Sequence, residues 1–574
     1  MASIYEQRPW LHLYPDWVGP DLEMPARSGL EIFKKAAENK PDAPAMRYFE
    51  NTLTFSEVDR ASDAVAAALA ERGVERGDRV ALYMQNVPQF PIGMLAIWKA
   101  GAMMVPLNPM LKGKEVNYHL SDSGSKALLA LESLYEGVRE DVGGTDVKTV
   151  ITTSELEYLG DAQPGALIAG SKKMRPEGTE DLQELIKQYD GHRVSDPGIS
   201  LDDVAMLVYT SGTTGRPKGA MITHGNVVFN SEAYRVWVQL GEDEVILGAA
   251  PLFHVTGLIA HITAGWHAGV PLVLFYRFEP AEALRMIERW KCTFTVASIT
   301  AYQALMAHDD IKKRDLSSFR KAYSGGAPIA PATVERFEQL TGAYIHNVYG
   351  LTETTSPSHG VPLGVRAPVD SDSGALSVGV PIPNTVVKIV DVDSGQELPP
   401  GEVGELWTQG PQVVAGYWQR PEATEETFTD GHFLHTGDVG KMDDEGWFYI
   451  VDRSKDMINA GGYKVWPREV EDYLYQHPAV REASVVGVPD PYRGETVKAF
   501  VALHPGASAT PEEILEFCKE NMATYKRPRE VEIVDDIPKT ATGKYLRREL
   551  RDREKAKVAA AQPAGGGQED KGQQ

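Results

Sequence analysis

The run Tyr209–Gly219, YTSGTTGRPKG, gathers the groups that hold a polyphosphate. Gly212, Gly215 and Gly219 let backbone N–H groups turn toward an anion. Thr210, Ser211, Thr213 and Thr214 add hydroxyl donors, and Lys218 adds positive charge. It is not a Walker A loop: counting from Gly212, the second required glycine is Pro217, and Lys218 precedes Gly219 rather than Ser or Thr. A second run, Asn347–Thr355 (NVYGLTETT), sets the aromatic plate Tyr349 beside Gly350, then the hydroxyl of Thr352 and the carboxylate of Glu353. Alone, it also reads as an ordinary strand-to-helix turn. Asp438, in HTGD, can accept two hydroxyl donors, and Arg453, in YIVDRSK, can offer charge-assisted ones; a salt bridge between them is the competing reading. His254 stands in the apolar run PLFHVTG, where a lone histidine is more often a satisfied core residue. Lys544 follows Gly543 in PKTATGKYLRREL, ahead of a basic helix whose charges alone would read as a solvated face.

The elements that must position these groups alternate in the first 350 residues. Strand-like runs at 79–83, 103–106, 147–152, 205–209, 272–275 and 294–297 are separated by helical patterns, including an amphipathic helix expected over Val87–Ala100. Such parallel sheets place function in the loops leaving the carboxyl ends of their strands. From about Val378 the pattern becomes antiparallel: 386–390, 405–408, and a hairpin through Asp443–Gly446 into WFYIV. After Asp456 a compact α+β segment is expected, with helices near 468–476 and 511–521 and strands at 483–488 and 498–503. The expected architecture is α/β: a large N-terminal domain, 1–452, of two parallel-type sheets with flanking helices (30–377) plus a small β subdomain (378–452). A connector at 453–456 leads to a small α+β domain at 457–551, and a disordered low-complexity tail is expected over 552–574.

Composition narrows the partners. The chain has 574 residues, 42% of them apolar, which is too long for a single core. A formal net charge of -23 argues against non-specific binding to nucleic acid or anionic lipid. Cys292 and Cys518 are expected to be buried thiols, not a disulfide or metal framework. No signal peptide is visible. Residues 245–276 contain no Asp, Glu, Lys or Arg, but Pro251, Pro271, His254, His261 and His267 interrupt them, so a buried core segment is expected rather than a membrane span. The expectation is a cytoplasmic protein.

Taken in order, these motifs resemble those of the adenylate-forming enzymes: acyl-CoA synthetases, luciferases and peptide-synthetase adenylation domains. The resemblance covers roughly residues 30 to 550. It implies an enzyme that activates a carboxylate with Mg·ATP to acyl-AMP and pyrophosphate, then hands the acyl group to CoA. In that family Tyr349 would stack on adenine, Thr352 would contact phosphate and Glu353 would help hold Mg²⁺. The Ser324–Pro328 run (SGGAP), with Gly325, Gly326 and Ala327, would lie along adenine and the acyl pocket. Asp438 and Arg453 would bind ribose, and His254 would lie near the acyl carboxylate. Lys455 would be the hinge about which the small, mobile domain rotates between steps. Gly461 and Gly462 would line the pantetheine tunnel, and Lys544 would be the catalytic lysine.

The lead-in Arg8–Pro25 and the stretch Gly461–Glu471 (GGYKVWPREVE) resemble bacterial long-chain fatty acyl-CoA ligases, implying a medium- to long-chain fatty acid. The uncharged run 245–276 would then supply apolar walls. An aryl-CoA ligase stays open, as does an acyl-AMP ligase serving a carrier protein, although no attached carrier domain is expected after the tail. A luciferase-like oxidase shares the adenylation motifs. A non-catalytic nucleotide-binding protein would be expected to lack Glu353 or Lys544. Homodimerisation and transient contact with a membrane surface are left open.

Overall fold

The computed structural model describes residues 3–160, 165–210, 216–371, 373–429, 431–453, 456–460, 463–490, 494–540 and 545–561. The chain separates into two compact units. The larger comprises residues 1–369, 376–436 and 441–449; the smaller comprises 370–375, 437–440 and everything from 450 onward.

Two sheets organise the larger unit. The first runs Glu180–Asp181, Thr149–Thr153, Ala127–Leu131, Arg79–Tyr83, Met103–Pro106, Val204–Thr210, Lys218–Thr223. Its neighbours are parallel except the last pair, a hairpin in which Thr210 faces Lys218. The second sheet orders Val380–Pro381, His359–Gly360, Ile345–Tyr349, Lys321–Ser324, Phe294–Ala297, Ile246–Leu247, Leu272–Leu274, Pro44–Tyr48, Asn51–Thr54. Its centre is parallel and both edges turn antiparallel. Parallel strands covered on both faces need near-continuous apolar runs, and Ala127–Leu131 is buried at every residue.

The helix within 87–100 spans Gln89–Lys99 and is buried on all sides, not amphipathic as its sequence suggested. Its polar members are absorbed by specific bonds: the Gln89 amide donates to Thr153 Oγ1 and the Ser154 carbonyl, and Lys99 Nζ meets Asp59 and Asp63 at 2.6 Å each. The uncharged run 245–276 is core. It contains a π-helical segment, Gly257–Thr263, in which every residue is buried. No helix among the described residues is long and apolar enough to cross a membrane. Cys292 and Cys518 are buried and unbridged.

The lead-in anchors on the β part of the same unit. Trp10 is fully buried with its ring edge-on to Phe448, and the hydroxyls of Tyr5 and Tyr14 donate to the carbonyls of Leu398 and Pro381. A further sheet orders Val386–Val390, Gly404–Gln409, Leu434–Met442, Phe448–Arg453. The Asp443–Gly446 turn closes its last hairpin, with Asp443 N–H on the Trp447 carbonyl.

In the smaller unit, long antiparallel strands Val480–Asp490 and Gly494–Leu503 pair from Val480 to Asp490. They pack on helices Pro467–Leu474 and Pro511–Asn521 around Val485, Val501, Ile514 and Cys518. The expected tail boundary at 552 is corrected: helix Arg547–Ala561 runs ten residues beyond Arg551. Its anchor is Glu554, which holds the buried Lys498 ammonium at 2.8 Å. That is a contact between segments 56 residues apart, which no local pattern announces.

This packing is open to test by truncation and by pH. Removing residues 552–574 strips Lys498 of Glu554 and should lower the unfolding midpoint by about 3 °C or more in a thermal melt. Glu554→Gln in the full chain should lower it in the same direction. Separately, burial depresses His224, His261 and His359 to about 3. Below pH ~6.5 the unfolded chain takes up protons that the folded one refuses, so stability falls as pH drops from there toward 3. Urea midpoints between pH 7.5 and 4.5 should decline, with up to about 1.4 kcal/mol per pH unit from each histidine.

Candidate active site

The residues singled out in the sequence divide between the two units. Thr210, Lys218, His254, Gly325, Gly326, Ala327, Tyr349, Gly350, Thr352 and Glu353 lie in the larger one; Asp438 and Arg453 lie in the smaller. Ser211, Gly212, Thr213, Thr214, Gly215, Lys455, Gly461, Gly462 and Lys544 lie outside the described residues, as do residues 562–574 of the tail.

The strands Val204–Thr210 and Lys218–Thr223 pair antiparallel at the two ends of the phosphate-loop sequence, with Tyr209 opposite Gly219. A Cβ on Gly219 would stand 3.3 Å from the Tyr209 ring, so the close cross-strand approach favours glycine. The Tyr209 hydroxyl donates to Asp122 at 2.8 Å, and Arg420 pairs with the other oxygen of that carboxylate. Burial, then the Asp122 carboxylate, pushes the Tyr209 phenol well above its ordinary range and keeps it a donor. The Tyr118 hydroxyl donates to the Pro217 carbonyl at 2.7 Å, fixing the loop's return.

The strand Ile345–Tyr349 runs beside Lys321–Ser324, pairing Ser324 with Asn347. This neighbour explains Gly325: a Cβ there would stand 2.8 Å from the Val348 carbonyl oxygen. Gly326 follows with φ of 81°, a conformation side chains resist, and leads to half-buried Ala327. The Tyr349 ring stands edge-on to buried His359, centroids 5.3 Å apart. Gly350 then passes close beside Thr354, Pro357 and Ser358, and Thr352 and Glu353 open a single 3-10 turn.

That turn is held from below by Asn230, fully buried on helix His224–Trp237, whose amide nitrogen donates to the carbonyls of Thr354, Thr355 and Ser356. Three carbonyls that the left-handed backbone at Thr355 and Ser356 turns inward are thus satisfied by one side chain. No local pattern singles out Asn230. Asn86 does the same for the loop that carries His254: its amide donates to the carbonyls of Gly248 and Ala250 and its oxygen accepts the Leu252 N–H. His254 is half-buried, and its Nδ1 accepts the Thr256 N–H at 3.3 Å.

The largest omission from sequence reasoning is the segment 414–418. Its Ala415 and Trp418 N–H groups donate to Met221 and Gly219, and Met221 donates to Gly416, so it pairs with the outer edge of the hairpin. Val414 N–H donates to the Glu353 carbonyl at 3.0 Å. Tyr417 therefore projects between two candidate residues. Its hydroxyl donates to Glu353 Oε1 at 2.8 Å, and its ring faces the Lys218 ammonium, 4.6 Å from the centroid. A glycine-aromatic pair, Gly416-Tyr417, inside the apolar run Val413–Trp418 was the available signal.

In the smaller unit, Asp438 is buried on strand Leu434–Met442 and Arg453 ends strand Phe448–Arg453. The segments flanking Lys544 are fixed: Lys539 bridges Tyr545, and the Leu546 N–H donates to the Pro538 carbonyl. Arg547 meets Asp452, Asp456 and Glu471, so groups on both sides of residues 453–455 share one guanidinium with the segment just after Lys544.

The profile of the AMP-binding enzymes matches residues 33–418, and that of the AMP-binding enzyme C-terminal domain matches 469–544. The chain belongs to the AMP-binding enzyme family. It is 36% identical over 559 residues to a long-chain-fatty-acid–CoA ligase of Bacillus subtilis (strain 168), covering 96% of this chain and 98% of that one. It is 37% identical over 519 residues to a feruloyl-CoA synthase of an Amycolatopsis species, covering 90% and 97%. Among solved structures, the anthranilate CoA ligase AuaEII in complex with anthranoyl-AMP superposes with a TM-score of 0.83 at 28% identity, covering 94% of this chain and 99% of that one. The mixed architecture of two largely parallel sheets followed by a smaller unit built on an antiparallel pair is the one expected from the sequence.

Asn230→Leu keeps the volume but leaves three buried carbonyls unpaired. It should lower stability in urea unfolding by roughly 2–4 kcal/mol. It should also weaken ATP binding, measured calorimetrically, because the Glu353 turn loses its support.

Proposed function

We propose that this AMP-binding enzyme converts a medium- to long-chain fatty acid, ATP and CoA to acyl-CoA, AMP and pyrophosphate. The observation that carries the substrate class is the end-to-end likeness to the Bacillus subtilis long-chain ligase, which spans both units. The buried, uncharged run around Leu258, Ile259 and Ile262 supports an apolar acyl site. The feruloyl-CoA synthase relative supports a second reading, an aryl acid in the same site.

In the first step a carboxylate oxygen attacks the α-phosphorus of ATP, forming acyl-AMP and breaking the bond to pyrophosphate. Such chemistry rests on positioning and on charge stabilisation. Lys218 and the hydroxyls of Thr210, Ser211, Thr213 and Thr214, with Gly212 and Gly215, hold the phosphates. Tyr349, with Gly325, Gly326, Ala327 and Gly350, borders adenine, Thr352 contacts phosphate, and Asp438 and Arg453 hold the ribose. Lys544 carries positive charge to the reacting phosphate. Glu353 suits a Mg²⁺ that is shared with substrate phosphates: among the described residues its Oε2 accepts no hydrogen bond, and no group of three or more metal-ligating side chains is assembled elsewhere. Bound there, Mg²⁺ supplies neutralisation of the phosphate charge. In the second step the small unit rotates about Lys455, withdrawing Lys544, and Gly461 and Gly462 line the path of CoA. The CoA thiol gives up its proton to solvent as its sulfur attacks the acyl carbonyl carbon, and AMP departs with the electrons of the broken acyl–phosphate bond. His254 lies near the acyl carboxylate and moves between the two steps.

ATP–pyrophosphate exchange across fatty and aryl acids tests the reading, followed by thioester detection with CoA. Exchange with fatty acids and thioester formation are expected; exchange with no thioester for any acid would overturn the CoA assignment. Lys544→Ala should lower exchange by about 10² or more while largely sparing thioester formation from supplied acyl-AMP. Equal loss of both half-reactions would refute the division of labour.

A further inference from the structure

Lys218 and Glu353 carry opposite charges on neighbouring parts of the larger unit, and one side chain engages both. The Tyr417 ring takes the Lys218 ammonium on its face, and its hydroxyl donates to Glu353 Oε1. We propose that Tyr417 is a positioning residue that keeps this lysine and this carboxylate apart and aimed, the one at phosphate and the other at the Mg²⁺ that accompanies it. The proposal rests on the function proposed above.

Three observations carry it. First, a direct Lys–Glu contact would satisfy both groups internally, so that a substrate phosphate or a cation would have to break it. A tyrosine between them gives each a weaker contact: a cation on an aromatic face is held by about 0.5–2 kcal/mol, and a single hydrogen bond leaves the second carboxylate oxygen available. Second, the tyrosine is itself fixed. Only 6% of Tyr417 is exposed, its N–H donates to Thr424 Oγ1 at 3.0 Å, and its backbone bridges Ala220 of the hairpin. Gly416 before it has φ of 135°, and a Cβ there would stand 2.6 Å from Thr424 Cγ2, so the approach depends on glycine. Third, the same short segment bonds both neighbours through its backbone: Gly219, one residue after Lys218, accepts from Trp418, and the Glu353 carbonyl accepts from Val414. Side chain and main chain thus fix the spacing of lysine and carboxylate together.

Tyr417→Phe removes the hydroxyl and keeps the ring; Tyr417→Leu removes both. The direct readout is ATP affinity by calorimetry, with and without Mg²⁺, with no acid present. For Tyr417→Phe the Mg²⁺-free affinity should stay within twofold of wild type, and the gain in affinity on adding Mg²⁺ should shrink at least threefold. For Tyr417→Leu the Mg²⁺-free affinity should also weaken at least threefold. In exchange assays the Mg²⁺ concentration giving half-maximal rate should rise for Tyr417→Phe. Adding Glu353→Gln should abolish that further shift, because the two side chains act as one unit. Thermal melts report folding; Tyr417→Phe is isosteric, and a variant that loses stability while keeping a wild-type Mg²⁺ increment assigns Tyr417 a packing role and overturns the proposal. Phe and Leu variants that bind ATP indistinguishably would overturn it as well. Absence of ATP–pyrophosphate exchange in the wild type, by contrast, would strike the proposed function itself.

Discussion

A short strand of main chain, residues 414–418, ties the chemistry of the larger unit together. It pairs with Gly219 and Met221 on one side and reaches the Glu353 carbonyl on the other. Those bonds join two sheets that are far apart in topology: the hairpin ends the seven-stranded sheet, while Glu353 follows a strand of the nine-stranded one. Neither sheet alone brings Lys218 and Glu353 onto one side chain. Buried backbone groups must be paired, so the segment has few alternative registers, and the relative height of Lys218 and Glu353 is set by main-chain bonds rather than by flexible side chains. Asn226 extends the same logic. It closes the cap of helix His224–Trp237 with Thr223 and directs its amide nitrogen to the carbonyls of Pro411 and Val413, directly upstream of the segment.

Electrostatics in this region run against the whole-molecule balance. A chain with a formal charge of -23 repels polyphosphate at long range. Near the hairpin, however, Asp122 is occupied by Tyr209 and Arg420, and Glu353 by Tyr417. The phenols of Tyr209 and Tyr417 are pushed far above the ordinary range by burial and by these carboxylates. They therefore remain neutral donors at any physiological pH. Pairing carboxylates with neutral phenols leaves Lys218 as a charge not cancelled by them.

Much of this was legible in the sequence because it is local. Strands at Met103–Pro106, Phe294–Ala297 and Val386–Val390 and the helix Pro511–Asn521 fall where the residue patterning predicts them. Lys218, Tyr349 and Glu353 could also be singled out, since a motif's residue types and spacing are local. What escaped depends on distance along the chain. Asn230 acts on a turn 124 to 126 residues away, Tyr417 on a carboxylate 64 residues away, and Glu554 on a lysine 56 residues away. The buried character of Gln89–Lys99 escaped for a related reason. Its polar residues suggested an exposed face, but each finds a partner from another element: Thr153 and Ser154 for Gln89, Asp59 and Asp63 for Lys99.

The smaller unit solves the same problem of placement with charge. Arg547 is surrounded by Asp452, Asp456 and Glu471, and Arg551 adds a second cation on Asp456. Desolvating such groups gains little net stability compared with apolar packing, and removing any one leaves the others uncompensated. Burial raises the Glu471 carboxyl above its ordinary range even with Arg547 in contact. What such a cluster provides is a single geometry. A guanidinium offers its donors in a rigid plane, so Asp452, Asp456 and Glu471 can satisfy it together in few arrangements. Asp452 and Asp456 bracket residues 453–455, and Arg547 opens the helix that follows residue 544. The consequence is mechanical: the base of the Lys544 loop and the flanks of the proposed hinge are bound into one piece. A turn about residue 455 would therefore have to release Arg547 from Asp452, which precedes that residue, while Asp456 and Glu471, which follow it, keep their hold.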